Sequence, residues 1–157
     1  MPDNGLLWAQ NNRMFSKACE YGIRAAILVA SESMKGNRLG LAAIAHKIDS
    51  PQAFTAKILQ KLVKKKIILS IKGPGGGFTA DTKNLDKINL AEIIVAIDGA
   101  ILNQCSLGLT DCSERRPCPF HHKYKPLKEK LLTLYNETSL KDLSKGIDSG
   151  QAYLKLR

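Results

Sequence analysis

No apolar run in this chain of 157 residues approaches the roughly 20 residues that a membrane-spanning helix needs. Residues 1–13 lack both the basic start and the apolar core of a secretory signal, so a cytoplasmic protein is expected. Internal repeats and low-complexity tracts are absent, and the length leaves no room for two full enzyme lobes. Neither a Ser-His-Asp set nor a metallohydrolase spacing occurs, which argues against an enzyme and a small-molecule substrate. Hydrophobic residues make up 44% and charged residues 24%, the balance of a chain that folds around a modest core.

Acidic residues are in short supply, 14 against 24 Lys and Arg, for a net charge of +10. The surplus is local: residues 14–89 hold 13 basic and 5 acidic side chains, whereas residues 90–157 hold 10 and 8. Within 47–72 there are seven lysines and a single acid, Asp49. A compact stretch of that sign is the footprint of a phosphate backbone, unless it is only a solvated lysine face.

Residues 1–13 are polar and aperiodic and read as an extension outside the fold, from an upstream start or an expression remnant. Ala18, Tyr21, Ala25 and Leu28 recur at helical spacing from Ser16 to about Ser33, and Gly36 and Asn37 break the pattern. Leu41, Ile44, Ala45 and Ile48 predict a short second helix. Ser50 as cap and Pro51 at the first helical position predict a third. Its apolar side is Phe54, Ile58, Leu59, Leu62 and Val63; its other side is Ala53, Ala56, Lys57, Gln60, Lys61 and Lys64. Residues 67–71 and 78–80 predict two strands around the glycine-rich tip at 73–77. That tip is no nucleotide-binding loop, because Phe78 and Thr79 continue a strand where such a loop needs Lys-Ser/Thr and a helix. A further helix is expected over 90–97, ended by Gly99, then a cysteine loop over 103–122. Lys125 and Pro126 predict the start of a last helix, whose stripe of Leu127, Leu131, Leu134 and Tyr135 is left to pair with another subunit.

Three helices and a β-wing, with charge gathered on the third helix and the wing, predict a mainly α, winged helix-turn-helix domain over 14–89. The third helix suits the major groove of double-stranded DNA. Gln52 and Gln60 offer amide pairs to base edges, and Ala53 and Ala56 allow close approach. Lys57, Lys61 and Lys64, with Lys72 and Gly73 on the wing, suit phosphates.

Phe15-Ser16, the segment from Glu20 to Ala25, the segment from Ala53 to Leu62 and the wing from Ile71 to Phe78 together resemble the Rrf2 family of transcriptional regulators, of the IscR and NsrR type. The resemblance runs from Met14 to about Leu143. It implies a homodimer with a long C-terminal dimerisation helix, and a cluster-binding loop, within 90–157. Ala56-Lys57 stands where some relatives have Glu-Gln, so no operator sequence is implied.

The loop spaces its donors as Cys105, Cys112, Cys118 and His121, three thiols and an imidazole able to hold an iron–sulfur cluster or zinc. The tight cysteine pairs of structural zinc sites are missing, which favours the cluster. By resemblance His121 is the fourth ligand of a 2Fe–2S site. The first gap, six residues where five is common, keeps 4Fe–4S open. The rival fourth ligand is Glu20, reaching across a dimer from the first helix; an ordinary surface glutamate is the alternative. Cys19 sits in an apolar helical pattern and reads as a small buried hydrophobe. The function expected is therefore a homodimeric DNA-binding regulator whose cluster senses cluster supply, redox state or nitric oxide. The alternative is the same regulator without a cluster, its loop cysteines serving as a thiol sensor or zinc site.

Overall fold

The protein is described by a computed structural model over residues 14–155; the extension expected at 1–13 lies outside the described residues. Helix α1 (Lys17–Met34) is capped by the Ser16 hydroxyl, which accepts from the Cys19 amide at 3.0 Å. Ala25, Ala26 and Ala30 are fully buried along it and let other helices come close. Around α1 pack α3 (Gln52–Lys64), α4 (Leu90–Asp98) and α6 (Leu140–Asp148). Helix α2 (Leu41–Lys47) buries Ile44 and braces α3. The core also holds Ile48, Leu59, Leu62, Ile68, Leu85, Ile93 and Ile94, and each contributes about 2 kcal/mol by leaving water. No helix among the described residues is long and apolar enough to cross a membrane.

Helix α3 departs from expectation at its start. Pro51 itself is the cap, and the Ser50 hydroxyl pairs with the Thr55 hydroxyl at 2.9 Å instead of capping a backbone amide. Thr55 also donates to the Pro51 carbonyl at 2.9 Å, so its hydroxyl is satisfied and the residue is fully buried. Phe54, expected in the packed stripe, is 37% exposed and meets Tyr21 of α1 edge-on, ring centres 5.8 Å apart.

The wing consists of β1 (Leu69–Ile71) and β2 (Gly77–Thr79), antiparallel, with Leu69 opposite Thr79 and Ile71 opposite Gly77. It is shorter than predicted: Ile67 and Ile68 drop into the core before pairing begins, and Ala80 follows the strand. Leu39, just past the break at Gly36 and Asn37, bridges to Phe78 with reciprocal backbone bonds of 3.1 and 2.8 Å. Beneath the wing, the buried Ser33 hydroxyl donates to the Val29 carbonyl, accepts from the Ala80 amide and meets Thr79 Oγ1 at 3.0 Å. These bonds hold the wing in a set place against α1.

Helix α5 (His121–Glu137) begins four residues before the predicted start, so Pro126 lies inside it. Its first turn is already secured: the His121 amide donates to Cys118 and the Tyr124 amide to Phe120. The proline then costs one interior bond. The stripe expected to await a partner is divided. Tyr135 is buried against Phe15 and Leu131 packs on the chain's own core, while Leu127 and Leu134 are 55% and 57% exposed. Helix α6 was not foreseen. Ser139 caps it, Leu140 is fully buried, and the Leu140 and Lys141 amides bond to Ile88 and Leu85, which fastens it beside the start of α4.

Candidate nucleic-acid interface and cysteine loop

Along α3, Gln52, Ala53, Lys57, Gln60, Lys61 and Lys64 are exposed and Ala56 is half-buried; Lys72 and Gly73 are exposed on the wing. The fold thus carries the expected residues on the outer side of the helix and on the adjoining hairpin. Lys61 differs in detail, because its Nζ donates to the Ile97 carbonyl at 3.1 Å and so caps the C-terminus of α4. There its charge complements the helix dipole and ties α3 to α4. At the wing tip the Gly76 amide donates to the Gly73 carbonyl at 2.9 Å. A Cβ at Gly76 would overlap the Ile71 carbonyl, and one at Gly77, where φ is +135°, would lie 2.8 Å from the Leu39 carbonyl. Glycine at these two positions is what lets the hairpin turn so tightly.

The cysteine loop leaves α4 through a 3-10 turn, Ala100–Asn103. Its base is anchored twice: Ile97 receives Lys61, and the Asp98 carboxylate accepts from the Ser16 amide at 3.2 Å and from the Ser16 hydroxyl. Cys105 and Cys118 are both buried, and Cys118 is near enough to act on the Cys105 thiol. The backbone amide of Leu107 foremost, then those of Leu109, the Cys118 thiol and the Lys128 charge hold the Cys105 thiol below the usual thiol range, against the opposing effect of burial. Cys112 and His121 form the second pair, Sγ to Nδ1 at 3.5 Å. His121 is 2% exposed, and its Nε2 makes no hydrogen bond although Glu114 Oε1 stands 3.5 Å away. Glu114 is the residue that sequence reasoning missed; an acid within a loop of candidate ligands was its only signal. Lys125 pairs with the same carboxylate. Cys112 and His121 open onto a cleft of about 360 Å³ that also meets Asn103, Asp111 and Lys128.

Among the described residues no three His, Cys, Asp or Glu side chains converge where a single ion would sit. Glu20 is on the first turn of α1, its carboxylate 3.6 Å from Lys17 Nζ. Cys19 is fully buried, and burial first, then the Asp98 charge, push its thiol up to about 12. That thiol is an inert packing group.

Helices, wing and basic face together define a winged helix-turn-helix protein of the class that regulates transcription at DNA. The family model described as an iron-dependent transcriptional regulator, Rrf2, matches residues 15–146, and the chain belongs to that family. It is 34% identical over 133 residues to a helix-turn-helix-type transcriptional regulator of Aquifex aeolicus, covering 83% of this chain and 90% of that one. It is 27% identical over 133 residues to the regulator IscR of Xenorhabdus nematophila, covering 85% and 79%. Among solved structures, CymR, the global cysteine regulator of B. subtilis, superposes with a TM-score of 0.69 at 18% identity over 85% of this chain and 97% of that one. IscR of T. potens does so with 0.68 at 16% identity over 92% and 94%. At those identities the two structures speak for the fold alone.

Proposed function

We propose that the protein is a homodimeric regulator whose operator binding is set by an iron–sulfur cluster held by Cys105, Cys112, Cys118 and His121. The observation that carries the proposal is the donor set at the head of α5. It comprises three thiols, one of them biased toward thiolate, and a buried imidazole facing a thiol with its other nitrogen unsatisfied. Four donors in two pairs, Cys105 with Cys118 and Cys112 with His121, suit a group containing more than one metal, since each iron of a two-iron cluster takes two protein ligands. A 2Fe–2S cluster is therefore favoured over 4Fe–4S. Bound by these residues, such a cluster would supply redox chemistry sensitive to oxidants and nitric oxide. Glu114 beside His121 matches the carboxylate that commonly orients a ligating imidazole.

The route to DNA runs through residues already described. The loop is continuous with α4; Lys61 ties α4 to α3, and Ser16 ties α1 to Asp98. Ordering the loop therefore stiffens the base on which α3 is carried, and its release loosens that base. Gln52 and Gln60 then read bases, with Ala53 and Ala56 keeping that face close to the groove. Lys57, Lys64, Lys72 and the Gly73 amide hold phosphates, and Lys61 adds its charge beside them. Two half-sites about 34 Å apart follow from a two-fold dimer.

The test is anaerobic purification with iron, sulfide and zinc analysis and a visible spectrum. Iron and sulfide in equal amounts are expected. Alanine at Cys105, Cys112 or Cys118 should abolish the chromophore, and His121→Ala should alter it while Glu20→Ala does not; the reverse for the last two makes Glu20 the fourth ligand across the dimer. Glu114→Gln should weaken cluster retention about tenfold. Stoichiometric zinc without sulfide would sink the cluster. A second reading is favoured by the closeness of Cys105 to Cys118: a thiol sensor that closes a disulfide on oxidation. It requires a colourless anaerobic protein whose duplex affinity changes with oxidant and is restored by a dithiol.

A further inference from the structure

Arg38 lies on the connection between α1 and α2, far in sequence from the lysines of α3 and the wing, yet the fold carries it to the wing tip. Leu39, its neighbour, is paired to Phe78 of β2, which fixes the backbone at 38 beside the hairpin. The exposed guanidinium reaches along the hairpin, and Nη1 donates to the Gly75 carbonyl at 3.3 Å. That bond uses one N–H of the five a guanidinium offers. The other flank of the tip carries the exposed Lys72. Glu32, which lines the same cleft as Arg38 and Gly75, is already engaged by Asn37 Nδ2 at 3.0 Å and by Lys35 and Lys47 at 3.3 and 3.9 Å. The wing tip is therefore narrow, cationic on both flanks and made of glycine backbone, the shape and charge that a narrow minor groove accepts.

We infer that Arg38 is a DNA-reading residue of the wing: with the hairpin against the duplex, its guanidinium enters the minor groove beside the tip and favours A·T-rich, narrow-groove sequence flanking the bases met by α3. The inference rests on the winged-helix docking proposed above and adds a specificity determinant from outside the helix and the hairpin. Gly75 serves as the strut, because the bond to its carbonyl aims the guanidinium along the tip. A lysine in this place brings the charge without the planar fork, and narrow grooves discriminate between the two.

The experiment binds the full-length protein to a pool of duplexes with a randomised 30-base-pair core and sequences the retained fraction for wild type, Arg38→Ala, Arg38→Gln and Arg38→Lys, with thermal melting of each as the folding control. Wild type should enrich A·T pairs outside two inner half-sites. Arg38→Ala should keep the inner sequence and lose the flanking enrichment, with affinity for the wild-type winner about tenfold weaker. Arg38→Gln, which keeps a polar amide but has no charge, should behave as Arg38→Ala, and Arg38→Lys should recover only part of the flank preference. Unchanged flanks in Arg38→Ala, wild-type behaviour of Arg38→Gln, or equal loss of affinity on A·T and G·C flanks each overturn the inference, the second leaving Arg38 a wing strut and the third a phosphate contact. Should wild type enrich no sequence at all, both this inference and the operator reading fail; enriched half-sites with unaffected flanks spare the operator reading.

Discussion

Glu32 shows how one side chain can serve both fold and surface. The Asn37 amide foremost, then Lys35 and Lys47, hold its carboxyl below the usual carboxylate range, and they do so against some loss of hydration. A carboxyl lowered in the folded protein adds stability above its unfolded value, near 4.5, and loses it as pH falls through the lower native value. Glu32→Gln should therefore be less stable by about 1 kcal/mol at pH 7, and the difference should close as pH falls below that window, read by urea denaturation at pH 7 and pH 3. An unchanged gap at pH 3 would mean that the charge is not what binds this corner together. Lys35 and Lys47 in turn neutralise this carboxylate, so the corner carries no uncompensated negative charge. Cys19 and Cys105 illustrate the opposite fates of one chemical group. One thiol is buried beside a carboxylate and stays protonated; the other is turned toward backbone amides and a lysine.

At the scale of elements, the wing is shaped by its backbone. Its strands pair over three residues each, so its shape depends on the Gly76 and Gly77 backbone and on the Leu39 bridge more than on side-chain burial. Gly76→Ala should therefore deform the tip and weaken duplex binding about tenfold while far-UV circular dichroism, dominated by the helices, stays as it was. Retained affinity would move the wing off the DNA. Helix α3 has two jobs that its pattern alone does not separate. Thr55, Ile58, Leu59 and Leu62 hold it in the core, and its lysines divide between an outward face and, at Lys61, a tether to α4.

For the whole molecule, α5 decides how copies meet in the proposed dimer. Leu127 and Leu134 are exposed on it, and Leu107 and Leu109 of the cysteine loop are exposed as well. Leu134→Glu should give a folded monomer in sedimentation with weakened operator binding, since an unpaired carboxylate in an apolar seam costs several kcal/mol. Leu131→Glu should lower the melting temperature too, because Leu131 packs on the chain's own core. A dimer indifferent to Leu134→Glu places the interface elsewhere.

Local rules made much of this protein legible without its structure. Helical spacing marks α1, the third helix and α4, glycine chemistry marks the wing tip, and the clustering of lysines on 47–72 marks the exposed basic side proposed to face DNA, because each signal is carried by residues close together in the chain. The ends and partners of those elements were decided by distant contacts. Pro51 replaces Ser50 as the cap because Thr55 turns inward and takes the serine hydroxyl. Helix α5 starts early because the Cys118 carbonyl is there to receive the His121 amide. Helix α6 gained its place from Leu85 and Ile88, about fifty residues upstream. The cysteine spacing announces a set of four donors, but their division into Cys105 with Cys118 and Cys112 with His121, and the arrival of Glu114 and Arg38 at their posts, depend on how the chain is folded back. Periodicity encodes which face of an element is buried, and only tertiary packing settles what that face meets.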